Sequence, residues 1–158
     1  MRHLSTRGLT LIELMVGLSI AALLAISAAP YFADYTTNSR LREGGNLLYS
    51  EALAAQSEAV KRNNVVRLST DGATIQVIDR RDPANPVVLR TRTLNNGVNA
   101  ATTTIDFGSE GWPLPFGTSA SIDLSMTGIT CSGDLRCPGL RVDGGGAIRL
   151  CGDHTATC

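Results

Sequence analysis

The sequence RGLTLIELMVGLSIAALLAISAAP, residues 7–30, decides how the rest of the chain is arranged. Residues 9–29 contain a single charged side chain, Glu13. A helix over these positions would be about 30 Å long, which matches the hydrocarbon core of a bilayer. Arg2 and Arg7 precede the apolar run, and positive charge in front of such a helix keeps that end in the cytoplasm. The sequence therefore predicts one membrane-spanning helix, with the rest of the chain on the opposite side.

A cleaved secretory signal is the alternative explanation of this apolar run. Residues 27–29, Ser-Ala-Ala, resemble a signal-peptidase site, but Pro30 directly after them disfavours cleavage. Glu13 is unusual in a signal or a plain anchor, because a charge within the membrane costs roughly 2.5–3.5 kcal/mol on insertion scales. Glu13 is therefore either a functional group with a partner or a residue close enough to the interface to stay hydrated.

Residues 7–14, RGLTLIEL, resemble the processing motif of type IV prepilins and of the pseudopilins of type II secretion. In that family a membrane peptidase cuts after the glycine that ends a short basic leader, and then methylates the new N-terminal amine. The resemblance implies cleavage between Gly8 and Leu9 and N-methylation of Leu9, although the family more often has phenylalanine at this position. It also implies that Pro30 is the proline that kinks the family's helix.

The same resemblance implies a role for Glu13. In the family's filaments, this carboxylate lies beside the free amine of a neighbouring subunit's first residue. Opposite charges attract strongly in a low dielectric, and neutralisation removes much of the cost of burying a carboxylate. Glu13 would therefore select correctly registered subunits during assembly.

A helical pattern continues beyond the apolar run. Pro30 cannot donate a helical hydrogen bond, so we expect a kink there, after which the helix resumes and ends near Arg62–Asn64. Gly44 and Gly45 weaken the helix relative to alanine. One apolar stripe at helical spacing consists of Leu41, Leu48, Ala52, Ala55 and Ala59. This stripe predicts either packing beneath a sheet, which we favour, or a coiled-coil seam.

The pattern after Asn64 is that of strands. The Asp71-Gly72 pair between two alternating segments predicts a β-hairpin. Further strands are predicted over residues 87–93, 103–107, 119–126, 140–143 and 147–151. Loops rich in Gly, Asn and Pro are predicted over residues 95–104 and 108–118. Trp112 in the second loop either contacts a neighbouring subunit or covers the sheet edge, and we favour the latter.

The predicted fold is α+β. A long N-terminal helix, membrane-spanning in its first half and kinked at Pro30, packs on a C-terminal antiparallel β domain. We expect a cleaved leader at residues 1–8, a transmembrane and filament-core helix at 9–29, an amphipathic continuation at 30–63 and the β domain at 64–158.

The four cysteines are all near the C-terminus, in the part of the chain that the predicted topology places outside the cytoplasm. An even number of cysteines in an exported domain predicts disulfides, and their spacing does not match the usual zinc-binding pairs. The pairing Cys131–Cys137 with Cys151–Cys158 is favoured, because the first pair brackets a short loop. The nested pairing, Cys131–Cys158 with Cys137–Cys151, stays open.

Composition and motifs narrow the class of function. The chain has 158 residues, with 14 basic and 14 acidic side chains, so bulk charge does not attract nucleic acid. We find no nucleotide loop, nucleophile motif or metal-ligand spacing, and so predict neither an enzyme nor a cofactor nor a metal site. His154 is expected to be a solvated tail residue, and residues 143–146, Asp-Gly-Gly-Gly, to be a hairpin turn.

The C-terminal segment resembles one group within the pilin-like proteins. Residues 137–142, CPGLRV, and 146–151, GAIRLC, are similar to the end of the GspH/FimT group of minor pilins, which includes the H pseudopilin of type II secretion. Some members of the group bind DNA there through a Gly-Arg-x-Arg element, but Ala147 replaces its first arginine here. Arg141 and Arg149 form either a small basic face or two solvated strand arginines.

The resemblance implies a minor pilin that helps to initiate or cap a type IV pilus after prepilin peptidase processing. The alternatives are an H-type pseudopilin in protein export by type II secretion and, less favoured, a DNA-binding pilin for DNA uptake. The implied partners are the prepilin peptidase, other pilins or pseudopilins, and the bacterial inner membrane before assembly. The N-terminus would be cytoplasmic and the β domain periplasmic, until the subunit enters the pilus or pseudopilus.

Overall fold

The computed structural model describes residues 10–156 and Cys158. The described chain forms one helix, α1 (Leu11–Arg62), followed by eight strands. The strands are β1 (Val66–Gly72), β2 (Thr74–Asp79), β3 (Val87–Thr93), β4 (Val98–Phe107), β5 (Pro113–Leu114), β6 (Ala120–Met126), β7 (Gly139–Val142) and β8 (Ile148–Cys151). The chain divides into two compact units, Met1–Tyr35 and Thr36–Cys158.

The first unit contains the N-terminal part of α1. Its segment Leu11–Ala28 is long and apolar enough to cross a membrane, and none of it is buried within the protein. A helix of a soluble domain buries one apolar face, whereas here large side chains such as Leu18 are exposed to 68%. The helix continues through position 30, and the kink at Pro30 stays a prediction.

In the second unit, α1 packs against a sheet. The predicted stripe is fully buried and joins the hydrophobic core formed with the strands. It therefore packs beneath a sheet, as favoured over the coiled-coil seam. The helix ends at Arg62, as predicted, and Asn63 follows in the left-handed region with φ of 49°. The N–H of Asn64 then donates to the carbonyl of Ala59 at 3.1 Å, which satisfies one of the last helical carbonyls.

Gly44 and Gly45 lie where α1 packs tightly against other residues of the second unit. A Cβ on Gly44 would lie 2.9 Å from Cγ1 of Val98, and one on Gly45 would lie 3.0 Å from Cγ of Pro138. A larger residue at either position would force its neighbours apart. Glycine therefore allows close packing here, which offsets its poor helix propensity.

The strands form an antiparallel sheet in the order β3-β2-β1-β4-β6-β7-β8, with β5 paired to β4 beside this path. The predicted hairpin is present, with Asp71 opposite Thr74 at the turn between β1 and β2. The α+β class, a long helix with an antiparallel sheet, is thus confirmed.

Two loop predictions need correction. Residues 95–104 are predicted as loop, but β4 begins at Val98. Val98 and Ala100 alternate into the core, and this burial outweighs the polar composition of the segment. The predicted loop 108–118 contains β5, which pairs with the end of β4.

Candidate assembly site

The predicted cleavage positions, Gly8 and Leu9, lie outside the described residues, so cleavage and methylation stay predictions. Thr10 directly precedes α1.

Glu13 lies in the first turn of α1, where it pairs with Thr10. Its Oε2 accepts hydrogen bonds from the backbone N–H of Thr10 at 3.1 Å and from the Thr10 hydroxyl at 3.0 Å. Oγ1 of Thr10 in turn accepts from the N–H of Glu13 at 3.3 Å. This reciprocal arrangement is a capping box, which satisfies N–H groups at the start of a helix. The Thr-x-x-Glu spacing at the start of α1 is the sequence signature of this box.

The Glu13 carboxylate is exposed among exposed apolar neighbours, such as Ile12 and Leu14. Within residues 10–156 and Cys158, no cation forms an ion pair with it. The charge is therefore uncompensated among the described residues, and a compensating cation has to come from residues 1–9 or from another molecule.

The cysteines form two sequential disulfides. Cys131 is bonded to Cys137 and Cys151 to Cys158, with Cα separations of 5.6 and 5.2 Å. The loop closed by the first bond is fixed to α1 by Asn38. The Asn38 side-chain amide donates to the carbonyl of Asp134 at 2.8 Å, and its oxygen accepts from the N–H of Arg136 at 2.9 Å. The C-terminal region is thereby held against the helix.

His154 corrects the expectation of a solvated tail. It is half-buried, and its backbone N–H and its Nδ1 both lie within hydrogen-bond distance of the Cys137 carbonyl, at 2.7 and 2.9 Å. Because a carbonyl only accepts, Nδ1 has to be the donor in this contact. His154 thus connects the two disulfide-closed loops, a long-range contact that its position near the C-terminus does not reveal.

Arg141 and Arg149 lie directly opposite each other on β7 and β8 and therefore share a face of the sheet. Nη1 of Arg141 is 2.5 Å from Oδ1 of Asp123, and Nη2 of Arg149 is 3.7 Å from Oδ2 of Asp143. The structure thus brings the two predicted arginines together, but each has an aspartate partner. This balance leaves little excess positive charge for a phosphate backbone.

Residues 143–146 form the turn between β7 and β8, with the N–H of Gly146 donating to the carbonyl of Asp143 at 2.9 Å. Oδ1 of Asp143 accepts from two further N–H groups, those of Gly145 and Ala147. These local bonds explain the carboxylate in the turn. Among the described residues no cluster of metal-ligating side chains is found.

Trp112 lies on a loop that Gln56 of α1 fastens. The Gln56 side chain donates to the carbonyls of Gly111 and Gly146, at 2.8 and 2.7 Å. The Trp112 ring contacts Phe116, with ring centroids 4.7 Å apart and planes inclined by 42°. Its exposed fraction of 40% leaves much of the side chain accessible, and the favoured role, covering the sheet edge, stays a prediction.

The exposed apolar first half of α1, its packed second half and the antiparallel sheet together define a pilin-like protein. Two family models agree with this class. Residues 4–29 match the prokaryotic N-terminal methylation motif, and residues 45–152 match the type II transport protein GspH. The chain belongs to the GspH family.

Solved structures of low sequence identity share the fold. The type IV minor pilin FimU of Pseudomonas aeruginosa is 19% identical, with a TM-score of 0.58 over 73% of this chain and 91% of that chain. The minor pseudopilin EpsH of the type 2 secretion system of Vibrio cholerae is 15% identical, with a TM-score of 0.55 over 72% of this chain and 97% of that chain. Comparison with curated protein sequences gives no significant match. None of these comparisons supports the DNA-binding alternative.

Proposed function

We propose that this chain is a minor structural subunit of a type IV pilus or of a type II secretion pseudopilus, helping to initiate or cap the filament. The observation that carries the proposal is the exposed apolar segment Leu11–Ala28, which precedes a domain matched by the GspH model. The chain would wait in the inner membrane with its N-terminus cytoplasmic and its β domain periplasmic. It would act by assembly with other pilins or pseudopilins and not by catalysis.

An apolar helix segment with no buried face can be accommodated in two surroundings. Before assembly it is solvated by lipid, since every helical backbone group is satisfied within the segment. In a filament it would exchange lipid for the similar helices of other subunits, at little cost in apolar burial. The exchange makes the uncompensated Glu13 carboxylate the group that distinguishes the two states.

Processing is the first step to test. Prepilin peptidase would remove residues 1–8 and methylate the new N-terminus at Leu9. The intact mass of the chain purified from its host membrane should equal that of residues 9–158 plus one methyl group. A retained leader, or a terminus beginning at Pro30, would contradict the proposal.

Glu13 both carries a charge and caps the helix, so a test of its role in assembly has to separate the two effects. Glu13→Gln keeps a side chain able to cap the helix but removes the charge, whereas Thr10→Ala removes the hydroxyl and keeps the charge. We expect Glu13→Gln to be inserted and processed normally, but to enter sheared filaments at least about tenfold less than wild type, since the intersubunit ion pair is lost. We expect Thr10→Ala to enter normally.

Immunoblots of filament and membrane fractions measure this partition. Normal incorporation of Glu13→Gln together with poor incorporation of Thr10→Ala would assign Glu13 to capping alone. The subunits that co-purify with the processed chain would distinguish a pilus, our leading proposal, from a secretion pseudopilus.

A further inference from the structure

The chain places most of its few aromatic side chains on its surface. It has one tryptophan, three tyrosines and three phenylalanines. Phe107 is buried and Tyr49 is half-buried. The exposed aromatic residues are Tyr31, Phe32, Tyr35, Trp112 and Phe116. Aromatic residues are enriched in protein interfaces, and tryptophan and tyrosine dominate their binding energy. These rings therefore indicate two contact surfaces, one on the helix and one on the loop after β4.

The loop surface, which we call the Trp112 surface, consists of Val60, Glu110, Trp112, Leu114 and Phe116. Its apolar members are exposed to 52% (Val60), 40% (Trp112), 44% (Leu114) and 65% (Phe116). All members except Val60 line one cavity of about 350 Å³. Val60 borders the surface, because its Cγ2 would lie 3.2 Å from a Cβ on Gly111. The result is a shaped apolar depression.

The Trp112 surface is held in place from behind. Gln56 binds the loop carbonyl of Gly111 and the carbonyl of Gly146 in the β7–β8 turn. That turn also packs on the loop, since a Cβ on Gly144 would lie only 2.6 Å from the carbonyl carbon of Gly117. A surface fixed in this way loses little conformational freedom when a partner binds.

Glu110 supplies the polarity of the depression. It is exposed, and no hydrogen bond or ion pair joins it to another residue in the described part of the chain. A free carboxylate beside indole and phenyl rings attracts a cation, through the opposite charge and through cation–π interaction with the ring faces. The complementary ligand is therefore a lysine or arginine side chain flanked by apolar groups.

The helix surface of this chain shows that chemistry. Tyr31, Phe32 and Tyr35 are exposed in the first unit, and Arg42, seven residues after Tyr35 in the sequence, is exposed in the second. Arg42 is exposed and has no ion pair within the described residues. Contact between two different surfaces of neighbouring subunits is heterologous, and such a contact produces open filaments when the rotation does not close.

We propose that the Trp112 surface binds the helix of a neighbouring filament subunit at a segment with exposed aromatic and basic side chains, of the kind this chain carries at residues 31–42. The basic side chain enters the depression beside Glu110, and the flanking aromatic residues cover Trp112 and Phe116. This inference rests on the proposed function as a filament subunit.

Photo-crosslinking of the full chain in its host tests the partner. p-Benzoylphenylalanine replaces Phe116 in one variant and, as a matched control, Val88 in another; Val88 is half exposed on β3, outside the Trp112 surface. We expect the probe at 116 to give an adduct that mass spectrometry maps to a subunit's helix, near a lysine or arginine, and the probe at 88 to give no such adduct. Adducts mapped to lipid, to an exported protein or to another subunit's β domain would overturn the proposal, as would no adduct at 116 in a variant that enters filaments.

Charge reversal tests the chemistry. We expect Glu110→Lys to lower incorporation into filaments at least about fivefold and Glu110→Gln to lower it less. Glu43→Lys, which reverses an exposed carboxylate on α1, should incorporate like wild type. Equal cellular abundance and protease resistance of the variants would show intact folding. If wild type itself does not enter filaments, the proposed function fails; if wild type and Glu110→Lys enter equally, only this inference fails.

Discussion

The two parts of helix α1 have the same secondary structure but opposite surroundings. In Leu11–Ala28 no residue is buried, although the segment is almost wholly apolar. In the second unit, from Thr36 onward, a single stripe including Leu41, Leu48 and Ala55 is completely buried beneath the sheet. The first part is suited to lipid and to other helices, and the second to its own domain.

This comparison shows that apolar content alone does not locate a protein's core. The less apolar part of α1 contributes to the core, because its apolar residues fall on one face and the sheet covers that face. The more apolar part contributes nothing to the core of the described chain, and its apolar side chains stay exposed. Substitutions at matched positions in the two parts should therefore have different effects on the stability of the second unit.

Removal of a leucine side chain should give the largest difference. Leu48 is completely buried, so Leu48→Ala should lower the free energy of unfolding by about 2–5 kcal/mol. Leu18, at 68% exposure, is the matched position, and Leu18→Ala should change it by less than about 0.5 kcal/mol. Urea unfolding of the full chain in detergent, followed by the fluorescence of its one tryptophan, Trp112, measures both. Equal losses would contradict the comparison.

A larger side chain at a glycine of α1 should have the next largest effect on the free energy of unfolding. Gly45→Leu would place its Cβ against Pro138 and should cost about 1–3 kcal/mol through overpacking. A Cβ on Gly17 would have no neighbouring atom within 4 Å, so Gly17→Leu should leave the same unfolding transition unchanged. A stabilised Gly45→Leu variant would show that helix propensity outweighs the close approach.

Loss of the Gln56 side chain should have a smaller effect. Gln56→Ala removes two hydrogen bonds to loop carbonyls that water can partly replace, and should cost about 1 kcal/mol. Ser19→Ala, in the first part of α1, removes only a bond to the carbonyl of Met15 within the helix, at 2.8 Å. It should leave the tryptophan-detected transition unchanged. A Gln56→Ala variant as stable as wild type would show that the loops do not depend on this anchor.

The smallest effect should come from the charges at the end of α1. A hydrogen bond from Arg62, with the nearby charges of Lys61 and Arg62, lowers the pKa of Glu58 below its ordinary value of 4.5. Because the folded-state pKa is the lower one, the stabilisation is present above about pH 4.5 and is lost as the pH falls through the folded-state pKa. Glu58→Gln should therefore be slightly less stable than wild type at pH 7 and equally stable in strong acid.

Glu43→Gln is the control for this pH dependence, since Glu43 is exposed and has no ion pair within residues 10–156 and Cys158. Its unfolding free energy at pH 7 should equal that of wild type, because no ion pair is lost. A difference in unfolding free energy between Glu58→Gln and wild type that grows as the pH falls would contradict the lowered pKa of Glu58.

The features predictable from sequence were those set by local pattern. The burial stripe, the helix end at Arg62 and the Asp71-Gly72 hairpin each depend on spacings within a few residues. The start of β4 at Val98 was not predictable, because it depends on pairing with β1 and β6.

Features formed by distant residues were also outside the reach of sequence patterns. From the sequence, Gly44 and Gly45 indicated only a less stable helix. The neighbours that leave no room for a side chain there, Val98 and Pro138, are far along the chain. The contact of His154 with Cys137 is of the same kind. The Thr10–Glu13 capping box is different, because its two residues are three positions apart and their spacing predicts it from the sequence.

The hydrogen bonds between Asn38 and the loop of Asp134 and Arg136 can form only late in the synthesis of the chain. The bonded residues are 96 and 98 positions apart, so this contact requires that nearly the whole chain has been synthesised. Contacts of such long range make folding slow. A translation product that ends before Asp134 would therefore lack both bonds between α1 and this loop.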